Sequence, residues 1–297
     1  MINPEKSSNP AKGIFLVLIA FLGFSVMSAF VKVCSEANLS TQEIVFFQNF
    51  TALIVVLPWV FRGKKQSLKP KNMTLVFGRA IIGFLSMYFF FLAIKLTPLV
   101  NATLLQNTTP IFIPLIAFFV FHKKITLKIL LVMIAGFIGV TMVLNPGKGS
   151  LNPGDFIALF SGLLSAGSTV IIKILNDKDE HIKVVILYYL AITTAVMGVW
   201  AIPTWSMPHG MLWMYLILSG VLYAAFQLLL IISMKYATTT IIAPFIYFAV
   251  VFSGIIDWLV WKEVPHLITV FGVLIVIASA IFSTLHHKKF RIPMQHR

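Results

Sequence analysis

The side chains able to do chemistry are few, and most stand inside long apolar runs. Gln106-Asn107-Thr108-Thr109-Pro110, with Pro114 one turn on, interrupts one run. Proline lacks a donor and frees carbonyls on the preceding turn, so opened backbone stands beside two amides able to hold a polar ligand. Tyr223 and Gln227 lie one turn apart on one helix face. Pro244 and Tyr247 follow in the next run, and Ser86 and Tyr88 occupy an earlier one. Each tyrosine supplies a ring face for stacking and a hydroxyl for a hydrogen bond. Gathered in one cavity, these groups suit a flat or amphipathic solute. The competing reading is helix packing by polar residues, or tyrosines at headgroup level. Arg79 stands about two turns inside its run, where it either snorkels out or pairs with an anion. Gln48 and Asn49 read as packing residues.

Of the 9 carboxylates, only Asp257 lies well inside a run, about one turn from its end. Proton relays across membranes use buried Asp, Glu or His. None of the 7 histidines is mid-run, so Asp257 is the single coupling candidate, with an ion pair to Lys262 as its alternative. Lys32 and Lys173 read first as helix-end anchors and second as gating groups. The single cysteine, Cys34, excludes an internal disulfide and argues against a cysteine metal site. There is no H-E-x-x-H, and the loose G-x-S-x-G likeness at Gly162 has no histidine at depth to activate Ser165. No metal and no cofactor are expected, and an intramembrane enzyme is the remote alternative.

The elements that must position these groups are set by composition. Charged residues are only 11% and mean hydropathy is +0.96, against about a quarter charged in a soluble domain. A chain of this kind is solvated by lipid. Runs of about 20 apolar residues place spans at 13–33, 43–61, 72–96, 99–121, 126–144, 154–175, 183–203, 211–235, 238–261 and 266–285. The unalternating runs exclude a barrel, so the fold class is an all-α membrane protein with ten transmembrane helices. The first run is too long for a signal-peptide core and reads as an uncleaved helix. The net charge of +14 would point to nucleic acid in a soluble chain, but here the bases cluster between runs, so no nucleic-acid partner is expected. With the N-terminus cytoplasmic, only Lys32, Lys95, Lys148 and Lys262 fall on the outer side. Short basic loops stay inside, which puts both termini in the cytoplasm and the chain in the inner membrane. Partners are the bilayer and a small molecule, with a second copy of the chain a candidate.

The chain also repeats itself. GIFLVLIAFLGFSVMSAFVK from Gly13 aligns with GDFIALFSGLLSAGSTVIIK from Gly154, and IKLTPLVNATLLQNTTP with MKYATTTIIAPFIYFAV. Lys32 falls on Lys173, Lys95 on Lys235 and Asn107 on Tyr247, at a nearly constant register. Five spans per half is odd, so the halves, 13–145 and 154–285, enter the membrane in opposite senses. Such inverted repeats recur among transporters.

RAIIGFLSMYFFFLAIKLTPLVNATLLQNTTPIFIPLIAFFVFHKKIT and MKYATTTIIAPFIYFAVVFSGIIDWLVWKEV resemble the ten-helix EamA-type permeases of the drug/metabolite transporter superfamily over nearly the whole chain. The family's turn glutamate is Glu263 in the second half but Lys123 in the first, and Gln48 stands where many relatives carry arginine. The resemblance implies alternating access for a small metabolite. Uptake of a nucleoside- or cofactor-like solute such as S-adenosylmethionine or riboflavin is favoured. Export of amino acids, metabolites or drugs is the alternative. Gln106, Asn107, Tyr223, Gln227, Tyr247, Tyr88 and Arg79 are the candidate binding residues; Lys32, Lys173 and Asp257 are the gating or coupling candidates.

Overall fold

The structure is a computed structural model, and it describes residues 9–62, 68–121, 127–144, 152–233, 236, 243–263 and 267–286. Several helices begin where a side chain can accept from the first, unpaired backbone N–H groups. Asn9 caps α1 (Pro10–Glu36), Ser40 and Glu43 form a capping box on α2 (Thr41–Phe61), and Asn72 caps α3 (Met73–Leu96). Next come α4 (Leu99–Gln106), α5 (Thr109–Phe121) and α6 (Leu127–Leu144). Asn152 caps α7 (Pro153–Asp177), and α8 (Ile182–Ala201) and α9 (Leu212–Ser233) follow. A 3-10 turn, Ala243–Tyr247, leads into α10 (Phe248–Ile256), and a π turn, Asp257–Trp261, leaves it before α11 (Leu267–His286). No strand occurs among the described residues.

Seven segments are long and apolar enough to cross a membrane, α4 and α5 counting together over Leu99–Val120; the shorter apolar stretches Met133–Met142, Phe245–Trp261 and Leu267–Ser279 complete ten spans. Two spans differ from the continuous helices expected. The fourth breaks at Asn107 and Thr108, because Pro110 has no N–H for the Gln106 carbonyl, which accepts instead from the Thr109 hydroxyl at 3.1 Å. The ninth is a short α-helix between a tightened and a widened turn, and its expected beginning at 238–242 lies outside the described residues.

On α1 the buried residues Val17, Ala20, Phe21, Phe24, Ser28 and Val31 recur every three or four positions, while Phe15, Ile19 and Leu22 are bare. A stripe of this kind faces protein, and the remainder faces lipid. Leu267 at 79% and Phe119 at 67% exposure show the same outward apolar surface. α1 packs along α9 and α3 along α7, while α2 meets α8 and α6 meets α11. Exchanging the first five spans with the last five turns the first pair into the second and the other two into themselves, which is the inverted repeat. The halves therefore interdigitate. Where α4 ends against α7, Gly162 leaves room for carbonyls: a Cβ there would stand 2.6 Å from the Leu105 oxygen.

One face holds the start of α1, the end of α2, the start of α3 and the α7–α8 connection, and among the described residues it carries Lys12, Lys69, Lys71, Lys178 and Lys183; we term it the basic face. On it, Glu180 accepts from the backbone N–H of Lys71 at 2.7 Å and of Asn72 at 3.2 Å. On the opposite face, Glu43 accepts from the Ser206 N–H at 2.5 Å. Each carboxylate thus ties a corner of one half to a loop of the other.

Candidate functional site

The site is built where α8 packs on α3 and a side chain of α9 reaches α8. Val185, Tyr189, Thr193 and Met197 stand every fourth position on α8 and are all buried, so one stripe of that helix is turned inward. The Tyr223 hydroxyl donates to the Tyr189 hydroxyl at 3.0 Å, and Gln227 Nε2 donates to the Tyr223 hydroxyl at 3.3 Å. The guanidinium carbon of Arg79 lies 4.1 Å from the centroid of the Tyr189 ring. A polar chain, Arg79–Tyr189–Tyr223–Gln227, therefore crosses from the first half to the second.

Arg79 does not snorkel. Its side chain runs away from the basic face along α3, because a Cβ on Gly83, one turn deeper, would collide with the guanidinium Nη1. Arg79 Nε and Nη1 are buried with no hydrogen-bond partner. On α8 the Thr193 and Thr194 hydroxyls are also buried without a hydrogen-bond partner. Tyr189 is the member that sequence reasoning missed. The signal available was its place in the every-fourth-residue stripe, which a doublet of tyrosines obscures.

The other expected residues are dispersed. Tyr247 is buried at the start of α10 with its hydroxyl unpartnered. Tyr88 stacks on Trp200, with centroids 4.8 Å apart, and Trp200 is itself 43% exposed, so that pair lies at the rim. Gln106 is half-buried at the break in the fourth span. Asn107 turns its amide nitrogen back to the Thr103 carbonyl at 2.7 Å, and the Gln106 carbonyl freed by Pro110 accepts from the Thr109 hydroxyl, so the break is satisfied from within. Ser86 donates to the Ser161 carbonyl at 2.9 Å. Gln48 and Asn49 are fully buried, donating to the Met27 sulfur and the Val45 carbonyl.

A second constellation lies toward the opposite face. Lys32 Nζ lies 3.2 Å from Asp257 Oδ1, 3.5 Å from Glu263 Oε1 and 4.2 Å from the centre of the Trp261 ring. Asp257 Oδ2 accepts from the Val100 N–H at 2.7 Å, in the first turn of α4. This corrects two expectations. Lys32 is not a helix-end anchor, since its side chain is turned into the protein and buried. Asp257 does not pair with Lys262, because Lys262 adopts the left-handed conformation that ends the π turn and its ammonium returns to the Leu259 carbonyl. Lys173, the matched residue of the second half, is exposed. Lys123, matched to Glu263, lies outside the described residues. Below the charges, Thr103 and Ser253 hydroxyls meet at 3.0 Å and Ser253 donates to Ser25 at 3.3 Å, joining α4, α10 and α1.

A crevice of about 280 Å³ between α1 and α9 is lined by Ile19, Leu22, Val26, Leu222 and Leu229 among others. It is apolar and holds none of the polar site residues described above, so it does not coincide with the chemistry. Among the described residues no group of three His, Cys, Asp or Glu is placed to hold a metal.

Ten spans in an inverted repeat, with polar groups between the halves and charges clasped at one face, define a small-molecule transporter. The chain belongs to the EamA-like transporter family, whose model matches residues 11–145 and 152–285. It is 30% identical to the pseudopaline exporter of Pseudomonas aeruginosa, over 91% of this chain and 95% of that one. It is 28% identical to the S-adenosylmethionine uptake transporter of Rickettsia felis, over 95% and 97%. The riboflavin transporter of Vibrio cholerae is 24% identical over 93% and 94%. A crystal structure sharing 17% identity superposes with a TM-score of 0.57 over 92% of this chain and 99% of that one, a likeness of fold alone. The chain is a multi-pass membrane transporter of a small metabolite and not an enzyme.

Proposed function

We propose that this chain carries a nucleoside- or cofactor-like solute, of the S-adenosylmethionine or riboflavin class, into the cell by alternating access. The observation that carries the reading is the Arg79–Tyr189–Tyr223–Gln227 chain, which offers ring faces, hydroxyls and an amide between the two halves. Flat solutes with polar edges fit such a surface. The halves, 13–145 and 154–285, rock about it. Short lysine-rich loops stay on the cytoplasmic side, which supports a cytoplasmic basic face and cytoplasmic termini in an inner membrane. The charge cluster at Lys32, Asp257 and Glu263 then closes the outer face in this conformation.

Reconstituted protein tests the reading by counterflow. Vesicles preloaded with unlabelled S-adenosylmethionine, or with riboflavin, should accumulate the labelled solute transiently and saturably. Accumulation equal to empty vesicles for both would refute that solute class. Export is the second reading, favoured by the 30% identical exporter. Inside-out vesicles that accumulate solute faster than right-side-out ones under a physiological gradient would establish it.

A further inference from the structure

We propose that Arg79 is an anion-binding subsite and that the transported solute carries a carboxylate; the inference rests on the carrier reading above and specifies its solute. A guanidinium stays charged at any physiological pH and is costly at membrane depth unless it is paired. Arg79 has buried Nε and Nη1 nitrogens without a hydrogen-bond partner. Among the described residues the ion pairs involve only Lys32, so no carboxylate among them stands against Arg79. Among the described residues the positive charge is received by the face of Tyr189, at 4.1 Å. A ring face stabilises a cation far less than an anion does, so the charge is held in place and left unneutralised.

Gly83 makes this arrangement possible. A Cβ there would clash with Nη1 and approach the Tyr189 ring to 3.1 Å. The glycine therefore seats the guanidinium inside rather than loosening the helix. Tyr189 accepts from Tyr223, which leaves its own hydroxyl hydrogen free to donate to the same anion.

A single positive charge matches a monoanion better than a phosphate dianion. Of the other cations on these helices, Lys183 is turned to the Val60 and Arg62 carbonyls and Lys95 lies at the far end of α3. The planar fork of arginine pairs with the two oxygens of a carboxylate. A carboxylate attached near a flat ring would meet Arg79 and the tyrosines together.

Thermal stability of the purified chain gives the test, with benzoate and benzamide as probes. The pair differs only in the anion and needs no knowledge of the natural solute. Benzoate should raise the melting temperature in a dose-dependent way, with benzamide at least about tenfold weaker. Arg79→Gln should erase the preference. Gly83→Ala should erase it too while the chain stays folded, since the atom displaced first is the end of a flexible side chain. If Arg79→Gln does not fold, Gly83→Ala decides. Equal effects of the two probes in the wild type, or a preference surviving both variants, would overturn the proposal. S-adenosylmethionine and its decarboxylated analogue, run beside them, separate the two readings. Benzoate preference without any response to S-adenosylmethionine keeps the carboxylate subsite and removes that solute. Equal response to S-adenosylmethionine and its decarboxylated twin keeps the solute class and removes the subsite.

Discussion

On the orientation proposed above, replacing Asp257 by asparagine should open the outer face. Asp257 is fully buried, and its carboxylate meets Lys32 at 3.2 Å and the Val100 N–H at 2.7 Å. Asparagine keeps the size and an acceptor but removes the charge. Lys32 is then left buried against a ring and against Glu263, a residue whose side chain is 41% exposed and 3.5 Å away. Stranding one partner of a buried pair costs about 3–5 kcal/mol. Glu263 recovers part of this, leaving about 2–3 kcal/mol against the closed state alone, because Lys32 regains water when the face opens. That corresponds to a roughly 30- to 150-fold larger open population. The chain supplies its own reporter. Cys34 is the single cysteine, lies two residues beyond Lys32, and is 1% exposed. An impermeant maleimide added from outside should label it about 30-fold faster in the variant, in proportion to the open fraction. The double variant Lys32→Met/Asp257→Asn strands no charge and should label more slowly than Asp257→Asn alone. Labelling within threefold of wild type in the single variant, at unchanged folding, would refute the reasoning.

Further outcomes follow from other contacts. Tyr223→Phe removes the hydroxyl that bonds both Tyr189 and Gln227; at about 1 kcal/mol for each of the two hydrogen bonds the half-saturation concentration in counterflow should rise roughly thirtyfold, with the fold intact by circular dichroism. Gly162→Val places a branched side chain on the Leu105 and Gln106 carbonyls, so detergent-solubilised protein should melt earlier, by an amount consistent with an overpacking penalty of about 1–3 kcal/mol. Glu43→Ala removes both the capping box of α2 and the acceptor for the Ser206 N–H. Its cost of about 1–2 kcal/mol should appear as faster amide exchange at Ser206 and the first turn of α2, leaving the basic face unchanged.

The architecture was legible because lipid imposes a strict rule. Every apolar run must satisfy its own backbone, so run length gives spans, and an odd number per half gives the inversion. Tyr223 and Gln227 were legible for the same local reason, since neighbours one turn apart must share a face. What escaped depends on pairs far apart in the chain. Lys32 and Asp257 are brought together by the packing of α1 against α10, and neither residue's local pattern announces the other. The direction of Arg79 depends on the absence of a Cβ at Gly83, and a helix position alone fits either direction. At the break in the fourth span the proline was visible. The return of the Asn107 amide to the Thr103 carbonyl was not, because it is a choice of rotamer rather than of sequence.

The most direct measurement is a structure determined with the solute that counterflow identifies. The account places solute density against the Tyr189 ring, within hydrogen-bonding reach of Arg79 and the Tyr223 hydroxyl, with Lys32 and Asp257 either paired or parted as the outer face is closed or open. Density in the apolar crevice between α1 and α9, with Arg79 still unpartnered, would contradict it.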